Sequence, residues 1–393
     1  MSGVLAQTPL GDERLLIIQP WFSAKGHPAQ SLYNTMRNLR AVAAIDYLIS
    51  DDRNFQHHVD VKTALGGDQR LFKFDVPGSS LLTNTARGLW SMARLLRRCG
   101  NIRCVFFFDM HLVAVSALWP LLAPWLNVRQ MSLLYLAGPE RIVRHGLVKA
   151  LVRRLLLRQE VVLCLRTPEL QAAWAQAFPD VAVARIRTIP SLEIALGPLF
   201  SIRSGIARDE LRFGILGQLR RGKSIETLAP LFAAVPALGV LKVAGSFNSP
   251  AEREALHMLA AFPGFEERYL EDDELLQLAA HQDYIVMFYD NWDTRMESAV
   301  LYLAARANRP VLAYAGGWLG RMVQEFGCGI ATSTDKLHLR DFLARLPLPG
   351  SSAYAQLLEG VGRLRSAHEG SVLRPLFLDC VGFHADAGTG PAV

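Results

Sequence analysis

A chain of 393 residues that is 51% apolar and 20% charged has the composition of two ordinary folded domains or one large one, and disorder is excluded as its main state. Its net charge of +6 is unevenly spread, with +9 on residues 1–200 and −3 beyond. The longest apolar run, Val113 to Leu126, is cut by Pro120 and Pro124, whereas a membrane-spanning helix needs about 20 uninterrupted apolar residues. The start of the chain, with Gly11-Asp12-Glu13 ahead of a short apolar run, lacks the build of a secretory signal, so a cytoplasmic location is expected.

Short β-branched or aromatic runs alternate with helical patterns along the chain, the signature of βα units and parallel sheets. In the first half, strands are predicted over 15–19, 104–108, 130–135, 161–165 and 185–189, with helices over 29–41, 80–98, 141–157 and 168–178. The segment 141–158 interleaves Arg141, Arg144, Lys149, Arg153, Arg154 and Arg158 with Leu147, Val148, Leu151, Val152, Leu155 and Leu156, and reads as a basic amphipathic helix. With Arg94, Arg97, Arg98 and Arg103 it suits an anionic membrane surface, where each cation contributes about 1 kcal/mol. A peripheral association with the inner face of the cell membrane is therefore expected; the plainer alternative is a solvated helix face packed on a sheet. Arginines set among aliphatics rather than stacking aromatics argue against nucleic acid as a partner.

A loop over 190–209 then separates two similar patterns. The second half reads as strand 212–216, helix 224–234, strand 238–244, helices 250–261 and 272–282, strand 284–288, helix 297–307, strand 311–314, helix 318–326 and strand 329–332. The expected organisation is a Rossmann-like domain over 1–200, a second over 201–350, and a cleft between them, with ligands beyond the carboxyl ends of the strands. Residues 351–393 are expected to form a helical segment packing back on the first lobe and a frayed Gly/Ala/Pro-rich tail. Cys99, Cys104, Cys164, Cys328 and Cys380 form no CxxC pair and are odd in number, which indicates neither a disulfide framework nor a structural zinc site. As metal ligands, His57-His58 has no partners at ligand spacing, and the acidic run Glu271 to Glu274 suits the first turn of a helix instead. The absence of a GxSxG, a P-loop and a complete GxGxxG removes the common hydrolase, NTPase and dinucleotide readings.

At the first strand of the second half the chain runs Gly217-Gln218-Leu219-Arg220-Arg221-Gly222-Lys223-Ser224 into a helix. Glycine permits a tight turn, and two cations beside a helix N-terminus make a diphosphate site. The spacing resembles the G-x-x-R-x-x-K segment of GT-B glycosyltransferases, and the resemblance, to bacterial nucleotide-sugar-dependent members, implies that Arg220 and Lys223 hold the diphosphate of a nucleotide-sugar donor. A second stretch, from Tyr284 through Tyr289, Asp290, Arg295, Glu297 and Ser298 to Pro310-Val311 and Gly316-Gly317, is similar to the donor half of the same superfamily. It implies donor contacts at Tyr289, Arg295, Glu297 and Ser298. A helix starting at Glu297 or Ser298 also offers backbone N–H groups to a phosphate. The E-x7-E pattern of retaining members is absent, because Arg295 and Leu303 stand at its two positions. That places the chain nearer to members with small or hydroxyl residues at this helix start, and leaves inverting and retaining transfer both open.

The same resemblance assigns the acceptor side to the first half. Gly26 and His27, in the loop after the first strand, would give close backbone approach and a base or ligand contact, against an ordinary helix-start role for His27. Strand 104–108 leads directly into Asp109-Met110-His111. An inverting transferase needs one base for the acceptor hydroxyl proton, and Asp109 or His111 could supply it, with helix N-capping the rival role of Asp109. Glu140, after Gly138-Pro139, is a further candidate base with capping as its rival. The expected activity is transfer of a sugar from a nucleotide-sugar donor to a lipid-linked or polysaccharide acceptor at the cytoplasmic membrane face, as in polysaccharide biosynthesis. Lys223 and Arg220 would neutralise the leaving diphosphate, and neither a metal nor another cofactor is expected. A GT-B-shaped binding or scaffold subunit that has lost catalysis is the runner-up, followed by a nucleotide-sugar epimerase.

Overall fold

The computed structural model describes residues 13–20, 27–42, 44–51, 61–75, 80–194, 210–247, 249–290, 294–333 and 338–383. In the first half these form β1 (Arg14–Gln19), α1 (His27–Asn38), β2 (Ile45–Asp51), β3 (Arg70–Asp75), α2 (Leu81–Arg98), β4 (Ile102–Phe107), α3 (Leu112–Leu122), β5 (Gln130–Leu134), α4 (Glu140–Val143), α5 (Gly146–Leu156), β6 (Val161–Leu165), α6 (Pro168–Ala177) and β7 (Ile186–Thr188). The second half continues with β8 (Arg212–Leu216), α7 (Ile225–Ala234), β9 (Val240–Gly245), α8 (Pro250–Ala255), β10 (Phe265–Glu267), α9 (Asp272–Ala280), β11 (Tyr284–Met287) and α10 (Ala299–Arg306). It ends with β12 (Val311–Tyr314), α11 (Gly317–Phe326), β13 (Gly329–Thr332), α12 (Leu339–Leu343), α13 (Ser352–Ala367) and α14 (Gly370–Cys380).

Two parallel sheets result, a seven-stranded one in the order β3-β2-β1-β4-β5-β6-β7 and a six-stranded one in the order β10-β9-β8-β11-β12-β13. The fold is thus α/β with two Rossmann-like sheets. The described residues up to Ile194, joined by those from Gly370 onward, make one compact unit, and Glu210 to Glu369 make the other. Of the segment beyond residue 350, only α14 belongs to the first unit. Its Leu373, Phe377 and Leu378 enter the first unit's core, Phe377 meeting Phe106 edge-on at 5.1 Å, while α13 places Tyr354 in the core of the second.

Central parallel strands are covered by helices on both faces, so they read as unbroken apolar runs. In β1 and β4, alternate residues serve two cores. Leu16, Ile18, Val105 and Phe107 pack with α2, α3, α5 and α6, whereas Leu15, Ile17, Cys104 and Phe106 pack with α1 and α14. The register Leu15↔Cys104, Leu16↔Val105 and Ile17↔Phe106 holds this alternation in phase.

Several elements depart from the sequence expectation, each for a physical reason. β2 and β3 carry charges that broke the apolar pattern: Asp46 on β2 is fully buried, and Arg14 and Arg70 pair with it at 2.7 and 2.5 Å. Those partners come from neighbouring strands, and a buried charge is tolerable only when paired in this way. The short β10 lies at a sheet edge. The apolar run from Val113 forms α3, which buries Val115 and Trp119. The single basic helix expected over 141–157 is two helices, α4 and α5, separated at Arg144 and His145 with Gly146 opening the second, and glycine is a poor residue for a helix interior.

Candidate functional site

Strand order reverses between β1 and β4 in the first sheet and between β8 and β11 in the second. At such points the connections leave toward opposite faces and open a crevice at the carboxyl ends of the strands. In the second unit that crevice is rimmed by the Gly217–Ser224 loop after β8 and by Tyr289 and Asp290 after β11.

The loop turns on three residues in the left-handed region, Gly217 (φ 88°), Gly222 (φ 84°) and Ser224 (φ 50°). It lies tightly on β9: the Gly217 N–H donates to the Ala244 carbonyl at 3.0 Å and the Leu219 N–H to the Ser246 carbonyl at 2.8 Å. A β carbon at Gly245 would fall 1.6 Å from the Gly217 carbonyl oxygen, so that position admits only glycine. Arg221 turns outward, its backbone N–H donating to Glu252 at 2.7 Å.

Lys223 turns inward and is 5% exposed. Its ammonium donates to the Leu216 carbonyl at 3.4 Å and sits 5.8 Å from the centre of the Tyr289 ring, with no ion pair among the described residues. Burial, reinforced by the positive charge of Arg220, lowers the Lys223 pKa to about 7. Burial also lowers that of the half-buried Arg220, with Tyr289 and Glu252 opposing. Burial pushes the Tyr289 phenol up to about 12, partly offset by Ser298 and Arg220. Two neighbouring cations held at a desolvation cost are an arrangement that a bound anion would stabilise.

Around this pair the structure gathers five other residues, Tyr289, Ser298, Ser224, Asp290 and Tyr314. The Tyr289 hydroxyl is 3.3 Å from the Ser298 hydroxyl. Ser298, at the N-cap of α10, makes no side-chain cap hydrogen bond. Ser224 donates to Asp290 at 3.2 Å and lies 3.1 Å from the Tyr314 hydroxyl, and the Asp290 N–H donates to the Gly222 carbonyl at 3.0 Å. The helix begins at Ala299, after the Glu297 or Ser298 start expected. Glu297 is turned to Tyr302, whose hydroxyl donates to it at 2.6 Å, and Arg295 is half-buried on the same loop. Ser224, Asp290 and Tyr314 were not singled out as site residues. The available signal was positional, since each stands at or just past the end of a predicted strand or of the G-x-x-R-x-x-K segment.

In the first unit, β4 is followed by Phe108, whose N–H still pairs with the Ile18 carbonyl at 2.8 Å, and the chain then turns at Asp109 with φ 60°. A non-glycine residue held there is strained by about 1–3 kcal/mol and is typical of functional turns. The N-cap of α3 is His111 and not Asp109: the Ala114 N–H donates to His111 Nδ1 at 3.3 Å. The His111 N–H donates in turn to Thr85 Oγ1 at 2.9 Å. An imidazole that accepts at Nδ1 carries its proton on Nε2, so His111 presents a donor. The Tyr135 phenol is raised by burial, with Arg141 opposing and Asp109 and Glu140 adding to the rise; both carboxylates therefore act on the carboxyl end of β5. Glu140 is exposed in the first turn of α4, where Pro139 holds the N-cap position. His27 is the first residue of α1; its side chain and Gly26 lie outside the described residues.

Among the described residues no group of three or more His, Cys, Asp or Glu side chains is arranged to hold a metal ion, and no helix is long and apolar enough to cross a membrane. A cavity of about 460 Å³ lined by Ile330, His338, Asp341, Phe342, Arg345 and Leu346 shares no residue with these loops.

No family model matches the chain, and no curated protein matches its sequence. Solved structures do match. Anabaena HepE in complex with UDP and glucose is similar at a TM-score of 0.66 and 13% identity, over 94% of this chain and 100% of that one. WaaG, a glycosyltransferase involved in lipopolysaccharide biosynthesis, gives 0.61 and 14% over 95% and 100%. Sucrose-phosphate synthase from Thermosynechococcus elongatus gives 0.61 and 15% over 94% and 96%. At these identities the likeness shows the fold, which is the twin parallel-sheet GT-B architecture.

The Lys223 shift makes stability depend on pH. With a folded pKa of about 7 against an ordinary 10.5, the unfolded chain binds more protons between those values, so stability rises with pH across that window. The cost of the buried ammonium is fully present below pH 7. Lys223→Met should flatten this rise and stabilise the unliganded protein at pH 6 to 7, as read by thermal unfolding of the two proteins across pH 6 to 10.

Proposed function

We propose that the chain is a nucleotide-sugar-dependent glycosyltransferase that transfers a sugar to a lipid-linked or polysaccharide acceptor at the cytoplasmic face of a membrane. The observation that carries this reading is the pair of half-buried and buried cations, Arg220 and Lys223, on a left-handed loop ahead of α7 at the reversal point of the second sheet. A nucleoside diphosphate is the ligand that such a loop suits. The HepE structures held UDP and UDP-glucose, which supports a donor of that class. In the reaction the two cations neutralise charge developing on the departing diphosphate, the part that a metal ion has in other transferases.

Asp109 is the base of this scheme if the transfer inverts. It stands at the reversal point of the first sheet on a strained turn, whereas His111 is occupied by capping and offers a donor to the acceptor. A second reading, a GT-B-shaped binding subunit without catalysis, is favoured by the engagement of Glu297 with Tyr302; turnover of a donor by the purified protein separates the two.

The membrane reading rests on the α4–α5 segment. Arg153 is paired with Asp180 and Arg158 with Glu160, both at 2.5 Å, and Lys149 lies over the Phe178 ring. That leaves Arg141, Arg144 and Arg154 exposed, beside Leu147, which is 77% exposed. Replacing Arg141 and Arg144 by Gln and Leu147 by Ser should release the protein from anionic liposomes at low salt; wild-type protein that ignores such liposomes would refute the reading.

Lys223→Ala and Arg220→Ala should each weaken UDP binding by about 1.5–3 kcal/mol, the range for charge-assisted hydrogen bonds. An arriving anion favours the protonated amine, so wild-type affinity should fall as pH rises above about 7 and the Lys223→Ala variant should lose that dependence. Calorimetric titration at several pH values measures both, after a thermal-shift panel of UDP-, GDP-, ADP- and dTDP-linked sugars has identified the base. Unchanged UDP affinity in both variants removes the diphosphate from this loop. Asp109→Asn keeps the side chain's shape and should lower turnover by about 100-fold or more at nearly constant donor affinity; if instead Glu140→Gln abolishes turnover and Asp109→Asn does not, Glu140 is the base.

A further inference from the structure

We infer that Asp290 and Tyr314 are positioning residues that lock the diphosphate loop by holding Ser224 in its left-handed conformation, an inference that rests on the reading of Gly217–Ser224 as an anion-binding loop. A serine at a helix N-cap ordinarily lies in the β region and points its hydroxyl back to an amide of its own first turn. Ser224 does neither. It is fully buried, sits at φ 50° and ψ 22°, and makes no cap hydrogen bond to α7. A residue with a β carbon adopts that conformation at a cost, and persists in it where the surroundings over-determine it.

The surroundings here are the ends of two neighbouring strands. The Ser224 hydroxyl donates to Asp290 Oδ2 at 3.2 Å. Its one proton being so directed, the Tyr314 hydroxyl is the donor in the 3.1 Å contact between the two. Tyr314 is itself fixed by stacking on Phe288 at 4.8 Å, and Asp290 by its N–H on the Gly222 carbonyl at 3.0 Å. The brace has two consequences for an anion. It sends Lys223 inward over Tyr289, and it diverts the one side chain that would otherwise cap α7; the Thr227 N–H is taken by the Ser224 carbonyl at 3.1 Å, and the Ile225 and Glu226 amides are left to a phosphate.

The test is calorimetric titration of inorganic pyrophosphate and of UDP into wild type, Tyr314→Phe, Asp290→Asn and the double variant Tyr314→Phe/Ser224→Gly, with thermal unfolding of each. Tyr314→Phe retains the stacked ring and should weaken both ligands about three- to tenfold, the worth of one neutral hydrogen bond, with little change in Tm; Asp290→Asn should do the same. Glycine takes the left-handed conformation without a brace, so Ser224→Gly in the Tyr314→Phe background should restore most of the affinity. Wild-type affinity in both single variants overturns the inference, as does a loss that tracks a fall in Tm and is not rescued by glycine. If wild type binds pyrophosphate but no nucleoside diphosphate, the nucleotide-sugar reading fails while the pyrophosphate arm still decides the brace; if it binds neither, both fall.

Discussion

An ammonium removed from water with no carboxylate beside it is held at a cost, and in the second unit the arrangement of the loops follows from that cost. Among the described residues Lys223 finds a carbonyl at 3.4 Å and the face of Tyr289, and Arg220 adds repulsion to desolvation. Such a group stays buried only if the backbone on either side is fixed. Gly217 and Gly222 supply the turns, Gly245 lets the loop settle on β9, and the strands on the other side of the reversal point, β11 and β12, supply Asp290 and Tyr314. On the proposed reading, an arriving anion offsets that desolvation cost, because an opposite charge nearby favours the charged form of a buried amine.

The first unit handles charge in the opposite way. Asp46 is buried at the amino ends of the strands with Arg14 and Arg70 against it, and Arg14 reaches Asp68 as well. These charges are paired with one another across three adjacent strands, so they belong to the joining of β1, β2 and β3. At the carboxyl ends lie the strained turn at Asp109 and the half-buried Tyr135, whose phenol is raised by burial. One end of the sheet is closed by ion pairs and the other carries the groups proposed to act on an acceptor, the end at which an open parallel sheet ordinarily binds ligands.

Much of this was legible in the order of residues. The central strands are buried on both faces and so show as apolar runs, and the alternation with helices specified parallel sheets before any contact was known. The G-x-x-R-x-x-K spacing marked the loop proposed here to hold a diphosphate, since the residue types needed for a tight turn and for a diphosphate are few. Illegible were elements whose stability comes from partners distant in sequence. β2 and β3 look polar until Arg14 and Arg70 are set against Asp46. The helix expected across 141–157 is divided at Gly146, and the helices beyond residue 350 look alike although Tyr354 and Phe377 enter different cores.

The site divides in the same manner. Sequence alone determined that Arg220 and Lys223 stand beside a helix start after a strand, and that Asp109 and His111 follow the strand at 104–108, because those are facts of local spacing. Tertiary structure decided which cation is buried, that His111 and not Asp109 caps the next helix, that Glu297 is engaged by Tyr302, and that Ser224 is braced from β11 and β12. Each of these depends on what lies across a strand boundary tens of residues away: burial and hydrogen-bond competition are settled by whichever groups the sheet order brings together, and strand order is a property of the folded chain.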